Sequence, residues 1–192
     1  SPPLARGDRL SLGPLVGTVD AVLGHKRLVA LTFDGPADTV WAGIAQHGRP
    51  IQYAYLDRTL ALWDVWTPIA ALPVAFEAPS AGFALDWRFL DALRSRGVEF
   101  ATITLAAGIS STGDPALDAR LPFDEPYRIP VKTAAQIRRA KTRGGRIVAV
   151  GTTVVRALVH SGGRAGEGVA DQRIGPGTRL RGVDAMLSGT HA

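Results

Sequence analysis

Cysteine is absent from this chain of 192 residues, and both lysine and histidine are scarce. Without cysteine the chain forms no disulfide and has neither a thiolate metal site nor a cysteine nucleophile. The four histidines show no HxxxH or HxH spacing, which argues against a zinc site built from histidine. We therefore expect a protein that holds no metal.

Long apolar runs are missing as well. No stretch is apolar over the roughly 20 residues that a membrane-spanning helix needs, and the first residues lack the pattern of a signal peptide. These absences predict a cytoplasmic protein with no membrane partner. Hydrophobic residues make up 46% of the chain and charged residues 20%, as in ordinary folded proteins, so the length allows one large domain or two small ones.

Positive charge is in excess and is carried mainly by arginine, with a formal net charge of +5 and a sequence pI of about 10.2. Such a balance suits nucleic acid or anionic small molecules, although dispersed arginines also occur as plain solvated surface. The tightest basic cluster lies on one predicted helix, and we predict that it contacts nucleic acid through Arg138, Arg139, Lys141 and Arg143. Trp63 and Trp66 could stack on a base, or they could serve packing between domains.

The first part of the chain alternates short apolar segments with glycines, which is typical of a small barrel. We predict a small β-barrel domain over residues 1–57. Thr39–His47 would add one or two helical turns. The expected strands are Arg9–Leu12, Val16–Val22, Arg27–Phe33 and Ile51–Tyr55.

Residues 58–192 predict a layered α/β/α domain, because helical and strand patterns alternate along them. Asp86 is placed to cap a helix that ends at Gly97, and the β-branched stretch Val98–Leu105 predicts a strand. Gly113–Pro130, with four prolines, predicts a long loop. Thr133 and Gln136 have the spacing of a capping box at the start of the next helix.

The organising stretch of this domain runs from Arg146 to His160, where an apolar strand meets a helix at Gly151-Thr152-Thr153. A strand that turns directly into a helix leaves unpaired backbone N–H groups at the corner. Those groups, the helix dipole and two hydroxyls favour an anionic or polar ligand. The alternative is that one of the two threonines simply caps the helix.

Several stretches, in this order and spacing, resemble the S-adenosylmethionine:tRNA ribosyltransferase-isomerase family of queuosine biosynthesis. They are APSAG at Ala78–Gly82, the strand Thr102–Leu105, Glu125-Pro126-Tyr127, the helix end Ala140–Arg146 and AVGTT-x-VR at Ala149–Arg156. The resemblance implies an α/β domain with a small β-barrel inserted into it. It also implies transfer of the ribosyl part of S-adenosylmethionine to 7-aminomethyl-7-deazaguanine in tRNA, giving epoxyqueuosine, adenine and methionine.

The resemblance further implies where the co-substrate binds and which groups move protons. Glu125 would be the base or acid, with Tyr127 beside it, and the alternative for Glu125 is a surface carboxylate. Arg156 would pair with a carboxylate or phosphate, or else form a surface ion pair. The expected S-adenosylmethionine contacts are Pro79, Ser80, Ala81, Gly82, Phe83, Gly151, Thr152, Thr153 and Arg156.

The chain departs from the family pattern where the family carries histidines. The family's HVG-x-GTF loop is Ala106–Thr112 here, and its H-x-MH-x-E segment is Leu121–Glu125. Two further functions therefore stay open: an S-adenosylmethionine-consuming enzyme with a small-molecule acceptor, and a non-catalytic module that binds tRNA or nucleotide. If the chain catalyses ribosyl transfer to tRNA, as the resemblance implies, we expect tRNA and S-adenosylmethionine to be its partners. We also expect a monomer that holds no metal.

Overall fold

The computed structural model describes residues 3–52 and 56–188, which fall into two compact units, Ser1–Gln52 and Tyr53–Ala192. The division expected at residues 57/58 stays a prediction. Mixed helices and short sheets make this an α/β protein. Among the described residues, no helix combines the length and apolar character needed to cross a membrane.

The first unit is an antiparallel sheet followed by one helix. Strands β1 (Arg9–Leu12), β2 (Leu15–Val22) and β3 (Val29–Phe33) pair in the order β1-β2-β3, and Val19 on the central strand is buried. Helix α1 (Ala37–His47) is longer than the one or two turns expected. The alternation of apolar segments and glycine turns thus correctly indicated three strands.

The barrel itself is not formed by the part of the chain that the structure describes, where the sheet has three strands. Of the expected fourth strand, Ile51–Tyr55, the first two residues are not in a strand, and residues 53–55 lie outside the described residues. A barrel needs a strand that closes the sheet on itself, and local patterns of alternation carry no information on closure.

The described residues of the second unit form two small sheets. Strands β4 (Thr104–Leu105), β5 (Glu125–Ile129) and β7 (Gly166–Ala170) pair antiparallel in the order β4-β5-β7. Strands β6 (Val148–Val150) and β8 (Ala185–Leu187) pair parallel. The central position of β5 matters for the site, because both of its edges are covered by neighbouring strands.

Helices of the second unit flank these strands, and a buried apolar cluster joins them. Their bounds are α2 (Leu62–Val65), α3 (Trp87–Ser95), α4 (Pro115–Asp118), α5 (Val131–Thr142) and α6 (Thr152–Ser161), with a 3-10 helix at Ser80–Ala84. The cluster is made of Tyr127, Ile129, Ala134, Ile137, Ala149, Val155, Ala157, Leu158, Ala170 and Val183. Helices α5 and α6 therefore pack through their apolar faces against β5, β6 and β7.

Two predictions of secondary structure in this unit are wrong. The strand expected at Val98–Leu105 is reduced to β4, and the loop expected at Gly113–Pro130 contains α4 and β5. Alternate burial of Glu125, Tyr127 and Ile129 shows why: pairing with β4 and β7 overrides the local preference of prolines and charges.

The capping box is also not formed. Helix α5 begins at Val131, so Thr133 and Gln136 already lie inside it. The Thr133 hydroxyl donates to the Thr102 carbonyl at 2.7 Å, and the Gln136 amide donates to the Phe100 carbonyl at 3.1 Å. These two side chains therefore tie α5 to the segment before β4. The predicted cap at Asp86 is confirmed, because its carboxylate accepts from the Phe89 N–H at 2.7 Å.

Candidate functional site

The elbow, Gly151–Thr153, is the sharp turn between β6 and α6. Gly151 has φ 98° and ψ 148°, a backbone conformation that is essentially restricted to glycine. Its N–H donates to the Leu187 carbonyl at 2.8 Å, which ties the turn to β8. The chain therefore enters α6 at a fixed angle directly from the sheet.

The threonines of the elbow do not cap the helix. Gly151 is the N-cap residue, and within the described part of the chain no side chain accepts a hydrogen bond from this helix end. The capping alternative is therefore wrong. Thr152 is exposed and Thr153 half-buried, so their hydroxyls and the first N–H groups of α6 are available to an acceptor from outside the protein.

The second stretch expected at the co-substrate site lies against the elbow. Residues Ser80–Ala84 form the 3-10 helix, in which Ala81 and Gly82 are buried. A Cβ atom built on Gly151 would lie 3.8 Å from the Ala81 Cβ. The structure thus brings together two sequence segments that are about 70 residues apart, and each was expected to contact the same ligand.

At Gly82 the 3-10 helix packs closely against Ile69 and Thr67. A Cβ atom there would lie 2.8 Å from the Ile69 Cδ1 and 3.2 Å from the Thr67 Oγ1. Thr67 is fully buried, and its hydroxyl has no hydrogen-bond partner among the residues described. Pro79, Ser80 and Phe83 are exposed around this core. Any side chain at Gly82 would push the 3-10 helix away from Ile69.

Arg156, one turn into α6, lies inside the protein with only 6% of its side chain exposed. Its Nη1 donates to the Glu125 Oε2 at 2.5 Å and to the Phe123 carbonyl at 3.1 Å. Its Nε and Nη2 donate to the carbonyls of Gln172 and Ala170 at 3.1 and 2.9 Å. We call Arg156, Glu125 and these three carbonyls the clamp. A surface ion pair, the alternative for Arg156, is therefore wrong.

Glu125 is equally enclosed, which also rules out its reading as a surface carboxylate. Its second oxygen, Oε1, accepts from the Gly108 N–H at 3.2 Å. Both oxygens therefore have protein donors, and the clamp joins α6 and β5 to the segment after β4. A buried charge pair of this kind is tolerated because each charge has several hydrogen-bond partners.

Tyr127 makes a second polar contact between β5 and α6, and sequence reasoning missed its partner. The phenol oxygen lies 2.9 Å from the His160 Nδ1, and the two rings meet edge to face at 5.6 Å. The His160 Nε2 lies 3.8 Å from an Asp171 carboxylate oxygen. The spacing held a signal: Glu125 and Tyr127 are two residues apart on a strand, while Arg156 and His160 are four apart on a helix, so each pair shares one face.

The predicted site residues are divided along α6. His160 lies eight residues after Thr152, which is about 12 Å along the helix axis. The elbow and Ala81 lie at one end, the clamp follows one turn later, and Tyr127 contacts the last turn. Among the described residues, the N-terminus of α6 therefore has no side-chain cap, while the rest of the helix is attached to the sheet.

On helix α5, two of the four residues predicted to contact nucleic acid lie close to a carboxylate of the protein itself. Arg139 and Arg143 lie 3.4 and 4.0 Å from Glu99. Arg138 lines a shallow surface depression of about 380 Å³ with Ala135, Arg139, Thr142 and Arg143. Lys141 lies beside Gly182. In the described residues, no group of three or more histidine or acidic side chains is arranged to hold a metal ion.

Comparisons with known proteins give a consistent result. A family model described as "Queuosine biosynthesis protein" matches residues 2–192. An S-adenosylmethionine:tRNA ribosyltransferase-isomerase of Citrifermentans bemidjiense is 46% identical over 125 residues, which are 61% of this chain and 36% of that protein. One of the same name from Chlorobium phaeobacteroides is 38% identical over 206 residues, which are 98% of this chain and 57% of that protein.

A crystal structure of an S-adenosylmethionine tRNA ribosyltransferase from Thermotoga maritima is 28% identical. The match covers 58% of this chain and 36% of the Thermotoga maritima chain, with a TM-score of 0.43. The chain spans less than two thirds of the length of the curated relatives it matches.

Proposed function

Because this chain belongs to the queuosine biosynthesis protein family, we propose that its elbow binds S-adenosylmethionine for ribosyl transfer to tRNA. The acceptor is 7-aminomethyl-7-deazaguanine in the tRNA, and the products are epoxyqueuosine, adenine and methionine. The observation that carries the proposal is the approach of Ala81 to Gly151, at 3.8 Å from a Cβ built on the glycine. It joins the two segments that the family resemblance assigns to the co-substrate.

The elbow supplies the groups that an amino-acid carboxylate needs. N–H groups at a helix N-terminus bind anions, and the Thr152 and Thr153 hydroxyls add donors beside them. Phe83 is 52% exposed, so its ring offers a face on which the adenine can stack. Exposed Pro79 and Ser80 would contact the co-substrate from the same 3-10 segment, in which Ala81 and Gly82 are buried.

The reaction needs a base that removes a proton from the 5′ carbon, because the positive sulfur acidifies that carbon. It also needs an acid that assists the departure of adenine. Glu125 and Tyr127 stay the predicted proton-transfer groups. In this proposal we instead give both residues a positioning role, because Glu125 bonds Arg156 and Tyr127 bonds His160, which encloses them between β5 and α6. Arg156 accordingly holds α6 in this proposal, because each of its nitrogen atoms is already hydrogen-bonded.

The finer features implied by the resemblance belong to the same proposal. They are a β-barrel completed around the sheet β1-β2-β3, a layered α/β/α arrangement of the second domain, and a monomer that works in the cytoplasm without a metal. The tRNA contacts the basic face of α5, where Arg138 carries an exposed charge. We expect this contact to weaken steeply as salt is raised.

The test is to incubate the protein with S-adenosylmethionine and either precursor-bearing or unmodified tRNA, and to measure adenine and methionine by chromatography. We expect release only with the precursor-bearing tRNA, and its loss in Gly151→Ala. Gly144→Ala is the matched control, because Gly144 also has positive φ (+71°) but lies in open space at the end of α5.

The departures from the family's histidine motifs define the competing outcomes. Adenine release that does not depend on tRNA would favour a small-molecule acceptor. Salt-sensitive tRNA binding without any adenine or methionine would favour a non-catalytic binding module. Absence of S-adenosylmethionine binding by calorimetry would contradict the proposal at its first step.

A further inference from the structure

Two exposed tryptophans of the second unit lie close together, Trp63 in helix α2 and Trp66 as the C-cap residue that follows it. Trp63 is 79% exposed and Trp66 51% exposed, with ring centroids 6.1 Å apart and planes inclined by 54°. We call them the tryptophan pair. Large aromatic side chains normally bury most of their surface, so the packing role considered from the sequence does not account for them among the described residues.

Hydrogen bonds to Asp64 hold the backbone segment that carries the tryptophan pair. The Arg58 guanidinium donates two hydrogen bonds to the Asp64 carboxylate, at 2.9 and 3.0 Å, and the Ala61 N–H donates to the same carboxylate at 2.8 Å. The hydrogen bond from Arg58 lowers the pKa of the Asp64 carboxyl, so the ion pair between Arg58 and Asp64 stays charged at neutral pH. Trp63 and Trp66 flank Asp64 in sequence, so this ion pair holds the backbone segment that carries both rings.

The pair is also connected to the elbow through consecutive contacts. Thr67 follows Trp66 and is fully buried. Its hydroxyl lies 3.2 Å from a Cβ built on Gly82, and the neighbouring Ala81 is the residue that approaches Gly151. The residue directly after Trp66 is therefore packed against the segment that forms part of the proposed co-substrate site.

We propose that the tryptophan pair is a stacking platform for unpaired nucleobases of the RNA substrate, next to the base that is modified. This inference rests on the proposed function and adds a contact to it. Every nucleobase has a flat face, so stacking on indole gives affinity without reading sequence. The net charge of +5 supplies attraction to the phosphate backbone of the RNA.

The experiment measures the Kd of unmodified tRNA across a series of salt concentrations. We expect Trp63→Ala and Trp66→Ala each to weaken binding about tenfold, with an unchanged slope of log K against log salt. Trp63→Phe should restore most of the affinity, because a ring remains. Arg138→Ala should instead reduce the salt slope, since it removes a phosphate contact.

Trp87→Ala is the matched control, because Trp87 is 62% exposed on a different helix, α3. It should leave the Kd unchanged. Circular dichroism melts of all variants should coincide with the wild type, since each ring is largely exposed.

Two results would overturn the platform while leaving the proposed function intact. One is wild-type binding of tRNA that neither alanine variant weakens. The other is dissociation of a dimer in those variants, seen by sedimentation, with unchanged RNA affinity, which would assign the rings to a protein interface. If the wild type binds S-adenosylmethionine but no RNA, both the platform and the tRNA acceptor are excluded together.

Discussion

The elbow and the clamp lie within one turn of each other on α6, but they differ in how far the protein itself satisfies their hydrogen-bonding groups. At the elbow, no described side chain accepts from the helix N-terminus. In the clamp, all three Arg156 nitrogens donate to protein acceptors and the charge is paired with Glu125. The comparison teaches that a single stretch, AVGTT-x-VR, combines the surface that we propose binds the co-substrate with the buried clamp that holds this surface in place.

Breaking the clamp should have the largest effect. Arg156→Ala leaves the buried Glu125 without its partner, and we expect a loss of about 3–5 kcal/mol in the free energy of unfolding. Urea denaturation measures it. Arg94→Ala is the control, because its pair with Asp91 is exposed, and such pairs contribute about 0–1 kcal/mol. A loss below about 1 kcal/mol in Arg156→Ala would show that the clamp does not hold the fold.

Replacing both clamp residues sharpens the comparison. In Glu125→Leu with Arg156→Met the buried charges disappear together, so stability should recover to within about 1–2 kcal/mol of the wild type. S-adenosylmethionine binding should then persist, measured by calorimetry, because the elbow is unchanged. A stable double variant that has lost the co-substrate would show that Arg156 binds it directly.

Distorting the elbow should have the next largest effect on stability and the largest on binding. Gly151→Ala forces a side chain into a region of φ and ψ that costs about 1–3 kcal/mol, and it redirects the first turn of α6. We expect at least a tenfold weaker Kd for S-adenosylmethionine. Gly144→Ala, also at positive φ, should lose stability without losing binding. Equal binding losses in both variants would point to general destabilisation.

Removing the contact at the far end of α6 should have a smaller effect. Tyr127→Phe deletes the hydroxyl that bonds His160, and we expect a loss of about 1 kcal/mol in the free energy of unfolding. The Kd for S-adenosylmethionine should stay unchanged, because this contact is about 12 Å from the elbow. A Tyr127→Phe protein that releases no adenine while binding normally would instead support direct proton transfer by Tyr127.

The smallest effect concerns pH. Hydrogen bonds from the Thr112 hydroxyl and N–H, at 2.6 and 2.8 Å, lower the pKa of Asp118. The folded pKa lies below the unfolded one, so this stabilisation is complete above about pH 4 and disappears as the pH falls through the lowered pKa. The Thr112 amide should exchange faster in that range, measured by NMR. In Thr112→Val the titration of Asp118 should move towards the ordinary value; an unchanged titration would contradict this assignment.

The elbow was predictable from sequence because its cause is local. A β-branched run followed by Gly151 and a helical pattern determines a strand, a sharp turn and a helix within about 15 residues. Its contact with Ala81 was not visible in either segment alone. Only the family resemblance linked the two, by assigning both to one ligand.

The clamp was not predictable because its cause is non-local. Glu125 and Arg156 are residue types that usually lie at the surface, and the prolines around Glu125 favour a loop. Pairing of β5 with two neighbours buries the carboxylate, and α6 then delivers the arginine from 31 residues away. His160 was missed for the same reason, since its spacing from Arg156 becomes informative only when Glu125 and Tyr127 are known to lie on a strand that packs against α6.

The most direct measurement is an NMR titration of the isotope-labelled protein with S-adenosylmethionine. We predict saturable shifts of the backbone amides of Thr152, Thr153 and Ala81, while the Arg156 side-chain Nε signal keeps its protection from exchange with water. Saturable binding that leaves the three elbow amides unshifted, or no binding by the folded protein, would contradict the claim that the elbow is the co-substrate site.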